Sequence, residues 1–171
     1  MESDRIQAFL KALGVRYPYP AQLYLLGGSA LCLLGSPRPT LDIDYIGDDL
    51  KKDALQKTMG EIADEMGLDV EAVPIERFIP VPVNKNERSL HVGKFGKIDV
   101  YIFDPYSISL SKIDRGFDTD LDDIVFLVQR GFVDFEKLAL ITQDALIQSR
   151  KYELDQTEIL AHLQELKKRL E

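Results

Sequence analysis

The Asp104-Pro105 pair separates two parts of the sequence that have different patterns of apolar residues. Before it, segments with the alternation of strands are interleaved with segments of helical periodicity, whereas beyond it the apolar residues recur almost entirely at helical spacing. A chain of 171 residues is long enough for one buried core with a small helical appendage. The sequence therefore predicts an α+β fold, with a core in residues 1–104 and a helical C-terminal subdomain packed on it in residues 105–171.

The local patterns give the following expected elements. Strands are predicted over 23–26, 40–46 and 69–75, and a hairpin over 88–92 and 97–103 around a turn at 93–96. Helices in the first part are predicted over 4–13, 30–34 and 51–66, with Gly14 as the C-terminal cap of the first. Helices in the second part are predicted over 107–114, 119–130, 135–150 and 156–170.

Charge and composition exclude several classes of protein. The chain carries 21 Lys and Arg against 29 Asp and Glu, a net charge of -8, which argues against broad coating of nucleic acid and leaves only a local basic groove open. No apolar stretch approaches the roughly 18 residues of a membrane span, so no membrane partner is expected. The acidic start lacks the pattern of a secretory signal, and we expect a cytoplasmic protein.

The soft metal ligands are few. Cys32 is the single cysteine, so the chain forms no internal disulfide. With only His91 and His162 beside it, the sequence has too few nitrogen and sulfur ligands for a typical structural zinc site. Any metal is therefore expected to bind to oxygen.

Asp42-Ile43-Asp44 is the most informative short motif. On a strand, these two carboxylates share one face about 6.6 Å apart. Asp99 lies in another apolar strand, where an acid is disfavoured, and we expect it to complete a cluster of three. Such a cluster needs cations to offset its repulsion, and magnesium is the natural candidate. The alternative is that Asp42 and Asp44 line a solvated face and Asp99 is an edge-strand charge.

Gly27-Gly28-Ser29 lies between a predicted strand and a predicted helix. A glycine pair lets the backbone approach a ligand closely, and Ser29 can donate its hydroxyl to a phosphate oxygen. The alternative is an ordinary tight turn with a serine cap. Together with the acids, the turn predicts a phosphate site beside a two-metal site.

The order of these motifs resembles the DNA polymerase beta-like nucleotidyltransferase superfamily, whose pattern is a Gly-Gly/Ser turn, an Asp-x-Asp or Asp-x-Glu strand and a third acid downstream. Within it, the segment 107–127 is similar to the helical part of the AbiE abortive-infection (AbiEii-type) toxin nucleotidyltransferases and their bacterial relatives. There a lysine, here Lys112, precedes an Asp-x-x-Asp helix, here Asp120 to Asp123.

The resemblance implies a small mixed sheet flanked by helices, and a role for each matched residue. Gly27, Gly28 and Ser29 would hold the triphosphate, and Asp42, Asp44 and Asp99 would be the catalytic acids that bind two magnesium ions. Lys112 would neutralise phosphate charge, with Asp120 and Asp123 orienting it or the nucleotide. The alternatives are an exposed helix lysine and two acids that favour the N-terminal turn of their helix.

The implied function is transfer of a nucleoside monophosphate from an NTP to a hydroxyl acceptor, which the resemblance leaves open between RNA and protein. It also implies a toxin of a toxin-antitoxin system, with an antitoxin as partner. The second hypothesis is a catalytically silent module that binds a nucleotide or a partner and retains the fold. The oligomeric state stays open.

Overall fold

A computed structural model of the protein describes residues 3–40, 42–48 and 52–171. Leu41 and Lys51, which the sequence patterns place in a strand and a helix, lie outside these ranges. The chain forms two compact units, one of Met1–Val73 and Ser89–Phe103, the other of Pro74–Arg88 and Asp104–Glu171. The segment Pro74–Arg88 thus belongs to the same unit as the C-terminal helices, although it precedes residue 104 in sequence.

The first unit contains a five-stranded mixed sheet in the order β3-β2-β1-β5-β4. The strands are β1 (Ala21–Leu26), β2 (Asp42–Asp48), β3 (Asp69–Ala72), β4 (Leu90–Phe95) and β5 (Ile98–Ile102). The central strand β1 pairs antiparallel with β2 and parallel with β5, while the outer pairs are β2 with β3, parallel, and β4 with β5, antiparallel. The predicted α+β class with a small mixed sheet is confirmed.

Strand alternation places the core of this unit on one face of the sheet. Leu23, Leu25, Ile43, Ile98 and Val100 are fully buried. The helices of the unit are α1 (Ser3–Arg16), α2 (Gly27–Leu33) and α3 (Lys52–Met66). Helix α1 contacts α2, α3 and β4, and α3 contacts β2 and β3, so these helices pack directly on the sheet and on one another.

Helix α1 continues past Gly14, contrary to the prediction that this glycine caps its end. The reason is a close approach of backbones. A Cβ on Gly14 would lie 2.6 Å from the carbonyl carbon of Phe95 and 2.9 Å from the nitrogen of Gly96. Glycine is therefore needed here because the helix packs against the hairpin, and not because the helix ends.

The hairpin turn also differs from the prediction. Strand β4 runs through Gly93 to Phe95, with a register shift between His91 and Gly93, and the turn lies at Gly96, which has φ +60. The bulge lets a strand continue through a glycine that the sequence pattern assigned to the turn.

The second unit is helical, and it contains the helices that were predicted beyond residue 104. It contains a 3-10 turn (Ile75–Arg77) and the helices α4 (Lys85–Arg88), α5 (Pro105–Arg115), α6 (Asp118–Gln129), α7 (Phe135–Leu146), α8 (Ser149–Tyr152) and α9 (Gln156–Leu170). The single helix expected over 135–150 is divided into α7 and α8. No helix in the described ranges has the length and apolarity needed to cross a bilayer.

We predict opposite effects of alanine at two helical glycines of the first unit. Gly14→Ala should lower the free energy of unfolding by about 2 kcal/mol, because the new methyl group meets backbone atoms that cannot move separately. Gly60→Ala in α3 should raise it by about 0.5–1 kcal/mol, because no atom lies within 4 Å of the added Cβ and alanine favours the helix. Urea denaturation of both variants measures this, and equal effects would contradict the close approach at Gly14.

Candidate functional site

The glycine turn joins β1 directly to α2. Strand β1 ends at Leu26 and the helix begins at Gly27, which has φ +64, a conformation that favours glycine. Ser29 is fully buried, and its hydroxyl donates to the carbonyl oxygen of Leu26 at 3.0 Å. The serine therefore closes the turn from within, and the backbone of the glycine pair is the part that can approach a ligand.

The strand of acids lies against this turn. A Cβ on Gly27 would collide with Oδ2 of Asp44, and one on Gly28 would lie 2.8 Å from Cβ of Thr40. The structure thus brings Gly27, Gly28 and Asp44 into direct proximity. The sequence pattern placed Thr40 at the start of the predicted strand and gave it no role at the site, because its contact with Gly28 depends on tertiary packing.

Asp42 and Asp44 share the face of β2 that points away from the core. Their neighbours Ile43 and Tyr45 are buried, whereas Asp42 is exposed and Asp44 is partly exposed. The predicted alternation of the strand is confirmed. Both carboxylates thus lie on the solvent-facing side of β2 in the first unit.

The structure does not bring Asp99 to these two acids, and the expected convergence of three carboxylates is wrong on this point. Asp44 is opposite Leu26 at the end of β1, whereas Asp99 is opposite Gln22 near its start. The three acids share a face, but Asp99 is about 13 Å farther along the sheet and two strands across. The physical reason is the parallel pairing of β5 with β1, which places the start of β5 beside the start of β1.

Asp99 instead lies next to His91 on the neighbouring strand. His91 Nε2 is 3.3 Å from Asp99 Oδ1, and both side chains are partly exposed. The His91 ring also packs edge-on against Tyr101, with 5.1 Å between ring centroids. Sequence reasoning missed this pair, because it depends on the bulge that sets the register of the hairpin.

Two further acids lie on the strand beside β2. Asp69 is paired with Asp42 and Glu71 with Asp44, so four acids occupy the same face at this edge of the sheet. The sequence shows these acids but not their register. Within 3–40, 42–48 and 52–171, no three His, Cys, Asp or Glu side chains gather closely enough to hold a metal ion.

The donors that are present fit magnesium. Asp42 and Asp44 offer carboxylate oxygens on an accessible face, and magnesium commonly uses one or two carboxylates together with water and substrate phosphates. The close approach at Gly27 leaves backbone, without a side chain, beside Asp44. A substrate phosphate could approach the same point.

In the second unit, Lys112 and the Asp-x-x-Asp pair form a buried ionic group. Lys112 Nζ lies 2.8 Å from Asp123 Oδ2 and 3.6 Å from Asp120 Oδ1, and all three side chains are at most 5% exposed. Arg115 pairs with Asp120 at 2.5 Å, and Asp120 also accepts from the backbone nitrogen of Phe117 at 3.3 Å. The interpretation of Lys112 as an exposed helix lysine is wrong; the group joins α5 to α6.

We predict that Lys112→Met strongly destabilises the protein. It would leave Asp120 and Asp123 buried without the ammonium between them, and the expected loss is about 3 kcal/mol of unfolding free energy. Lys168→Met, at an exposed position of α9, is the matched control and should change stability by less than about 0.5 kcal/mol. Chemical denaturation measures both variants, and similar small changes would show that the buried group contributes little.

Comparison with known protein families gives a match over most of the chain. The family described as "Nucleotidyltransferase of unknown function (DUF6036)" matches residues 5–171. No curated protein and no solved structure matches the chain.

Proposed function

Since the chain belongs to this family of nucleotidyltransferases of unknown function, we propose that it transfers a nucleoside monophosphate from an NTP to a hydroxyl acceptor in a magnesium-dependent reaction that releases pyrophosphate. The observation that carries the proposal is the contact of the glycine turn with the acid strand, where Asp44 lies against Gly27. A triphosphate needs close backbone approach, and a magnesium ion needs carboxylates beside it.

The chain's residues have separate tasks in this proposal. The backbone at Gly27 and Gly28 admits the triphosphate, because neither residue carries a side chain. Asp42 and Asp44 hold the metal, which when bound offsets negative charge on the reacting phosphate and the leaving pyrophosphate. Ser29 keeps the turn closed through its bond to Leu26.

The acceptor and the biological role rest on the resemblance alone. RNA and protein hydroxyl groups remain the two proposed acceptors, and the AbiE-type toxin role with an antitoxin partner stays a prediction. The phosphate contact expected of Lys112 also stays a prediction, and its observed partners are Asp120 and Asp123.

A second candidate function is supported by the position of Asp99. Because this acid lies away from Asp42 and Asp44, the described residues lack the three-carboxylate cluster that the sequence predicted for transfer. A module that binds a nucleotide at the glycine turn without transferring it needs only the two acids and the turn. This second candidate therefore shares the binding site and differs in turnover.

We predict that Asp44→Asn lowers transfer at least about 100-fold, because it removes a charged metal ligand beside the glycine turn. Asp99→Asn is the matched control and should retain transfer within about threefold, because Asp99 lies on β5 beside the start of β1, away from the glycine turn. Incubation with labelled NTPs, magnesium and cellular RNA or protein measures both. Equal labelling by the wild type and Asp44→Asn rejects the proposed site. Loss of labelling in Asp99→Asn would show that Asp99 is needed for transfer as a third catalytic carboxylate.

Calorimetric titration with an NTP separates the two candidate functions. For the enzyme we expect binding that weakens at least about tenfold when magnesium is removed with EDTA, a difference of about 1.4 kcal/mol, accompanied by pyrophosphate release in the presence of acceptor. Nucleotide binding that gives no pyrophosphate, whether or not it depends on magnesium, would support the silent module. Where binding depends on magnesium, Asp42→Asn should weaken that component.

A further inference from the structure

A groove of about 390 Å³ lies within the second unit, between α7 and the segment that follows the 3-10 turn. Its apolar walls include Pro80 and Pro82 from that segment and Ile141 and Ala145 from α7. This volume is within the range of small-molecule sites in proteins, which combine apolar walls with a few polar groups. The groove belongs to one unit and shares no residue with the glycine turn or the acid strand.

One wall of the groove is fixed by a buried ion pair. Arg88 donates through Nε and Nη2 to the two oxygens of Asp104, at 2.9 and 2.6 Å, and through Nη1 to the carbonyl oxygen of Val83 at 2.7 Å. Asp104 is fully buried, and its hydrogen bonds raise the pKa of the Arg88 guanidinium. The charge of Arg88 is therefore offset inside the protein, and its side chain holds the wall in place.

Lys137 contributes a positive charge that is not offset in this way. Its Nζ lies 5.0 Å from the ring centroid of Tyr106, and it forms no ion pair with any residue of the described ranges. Tyr106 is itself held by its hydroxyl, which accepts from the Asp134 nitrogen at 2.9 Å. Asp144 lies seven residues along α7, about 10 Å away, so the groove has a cationic and an anionic end.

We propose that this groove binds a small amphipathic anion, with its carboxylate or phosphate at Lys137 and its apolar body between the prolines and Ile141. The charge on Lys137 selects an anion over a neutral molecule or a cation. The carboxylate of Asp144 disfavours a ligand that carries negative charge at both ends. The site is independent of nucleotidyl transfer.

The test uses octanoate, octanol and octylamine as probes of the full chain, followed by amide chemical shifts. We expect saturable shifts at Ile141 and Ala145, with octanoate bound about threefold to fivefold more tightly than octanol. Lys137→Gln should abolish that preference. Lys151→Gln is the matched control, since its ammonium also lies over a ring, that of Tyr152 at 5.4 Å, but outside the groove, and it should keep the preference.

A second variant tests the apolar part of the site. Gln148→Trp, at an exposed position of the lining, should weaken octanoate and octanol alike by filling the groove. Asp44→Asn should leave octanoate binding unchanged, which separates this proposal from the nucleotidyl transfer proposal. The proposal is overturned by the absence of saturable shifts up to about 10 mM octanoate, by equal binding of octylamine, or by an unchanged preference in Lys137→Gln.

Discussion

The antiparallel pairing of β1 with β2 is the constraint on which the candidate site depends. Because Leu26 is opposite Asp44, the first residue after β1 meets a carboxylate, and a side chain there would collide with it. Gly27 also has φ +64, so packing and backbone conformation require the same residue. A shift of one residue in this register would turn Asp44 toward the core and Tyr45 toward solvent.

Burial distinguishes the two groups of charged residues in the chain. Lys112, Asp120 and Asp123 are removed from water, and Lys112 together with Arg115 offsets the charge of the two carboxylates, so their main effect is to hold two helices together. Asp42 and Asp44 keep contact with solvent on an outward face of the sheet, where a cation can reach them without the cost of opening a core. Aspartate side chains therefore stabilise the packing of two helices in the second unit, whereas in the first unit they are accessible to a ligand from solvent.

The sequence predicted those features that depend on local periodicity. The alternation around Ile43 fixed the face of both acids, and the helical spacing beyond residue 104 gave most of the C-terminal helices. The sequence could not predict the position of Asp99 along the sheet. A period of two gives the face on which a side chain lies but not the register between two strands. The burial of Lys112 and the close approach at Gly14 arise from tertiary packing, which the pattern of neighbouring residues in the sequence does not indicate.

The position of Asp99 bears on how binding and turnover are divided within the first unit. Under the proposed function, the two carboxylates beside the glycine turn would be enough to retain a magnesium ion and a triphosphate, since magnesium keeps several water ligands. Removing the proton of an acceptor hydroxyl is a separate task, and Asp99, on β5 beside the start of β1, lies too far from Asp44 to share a metal with it. Under the proposed function, affinity for the nucleotide would depend on the pairing of β1 with β2, whereas the rate of transfer would depend on a base close to Asp44, where Asp99 does not lie.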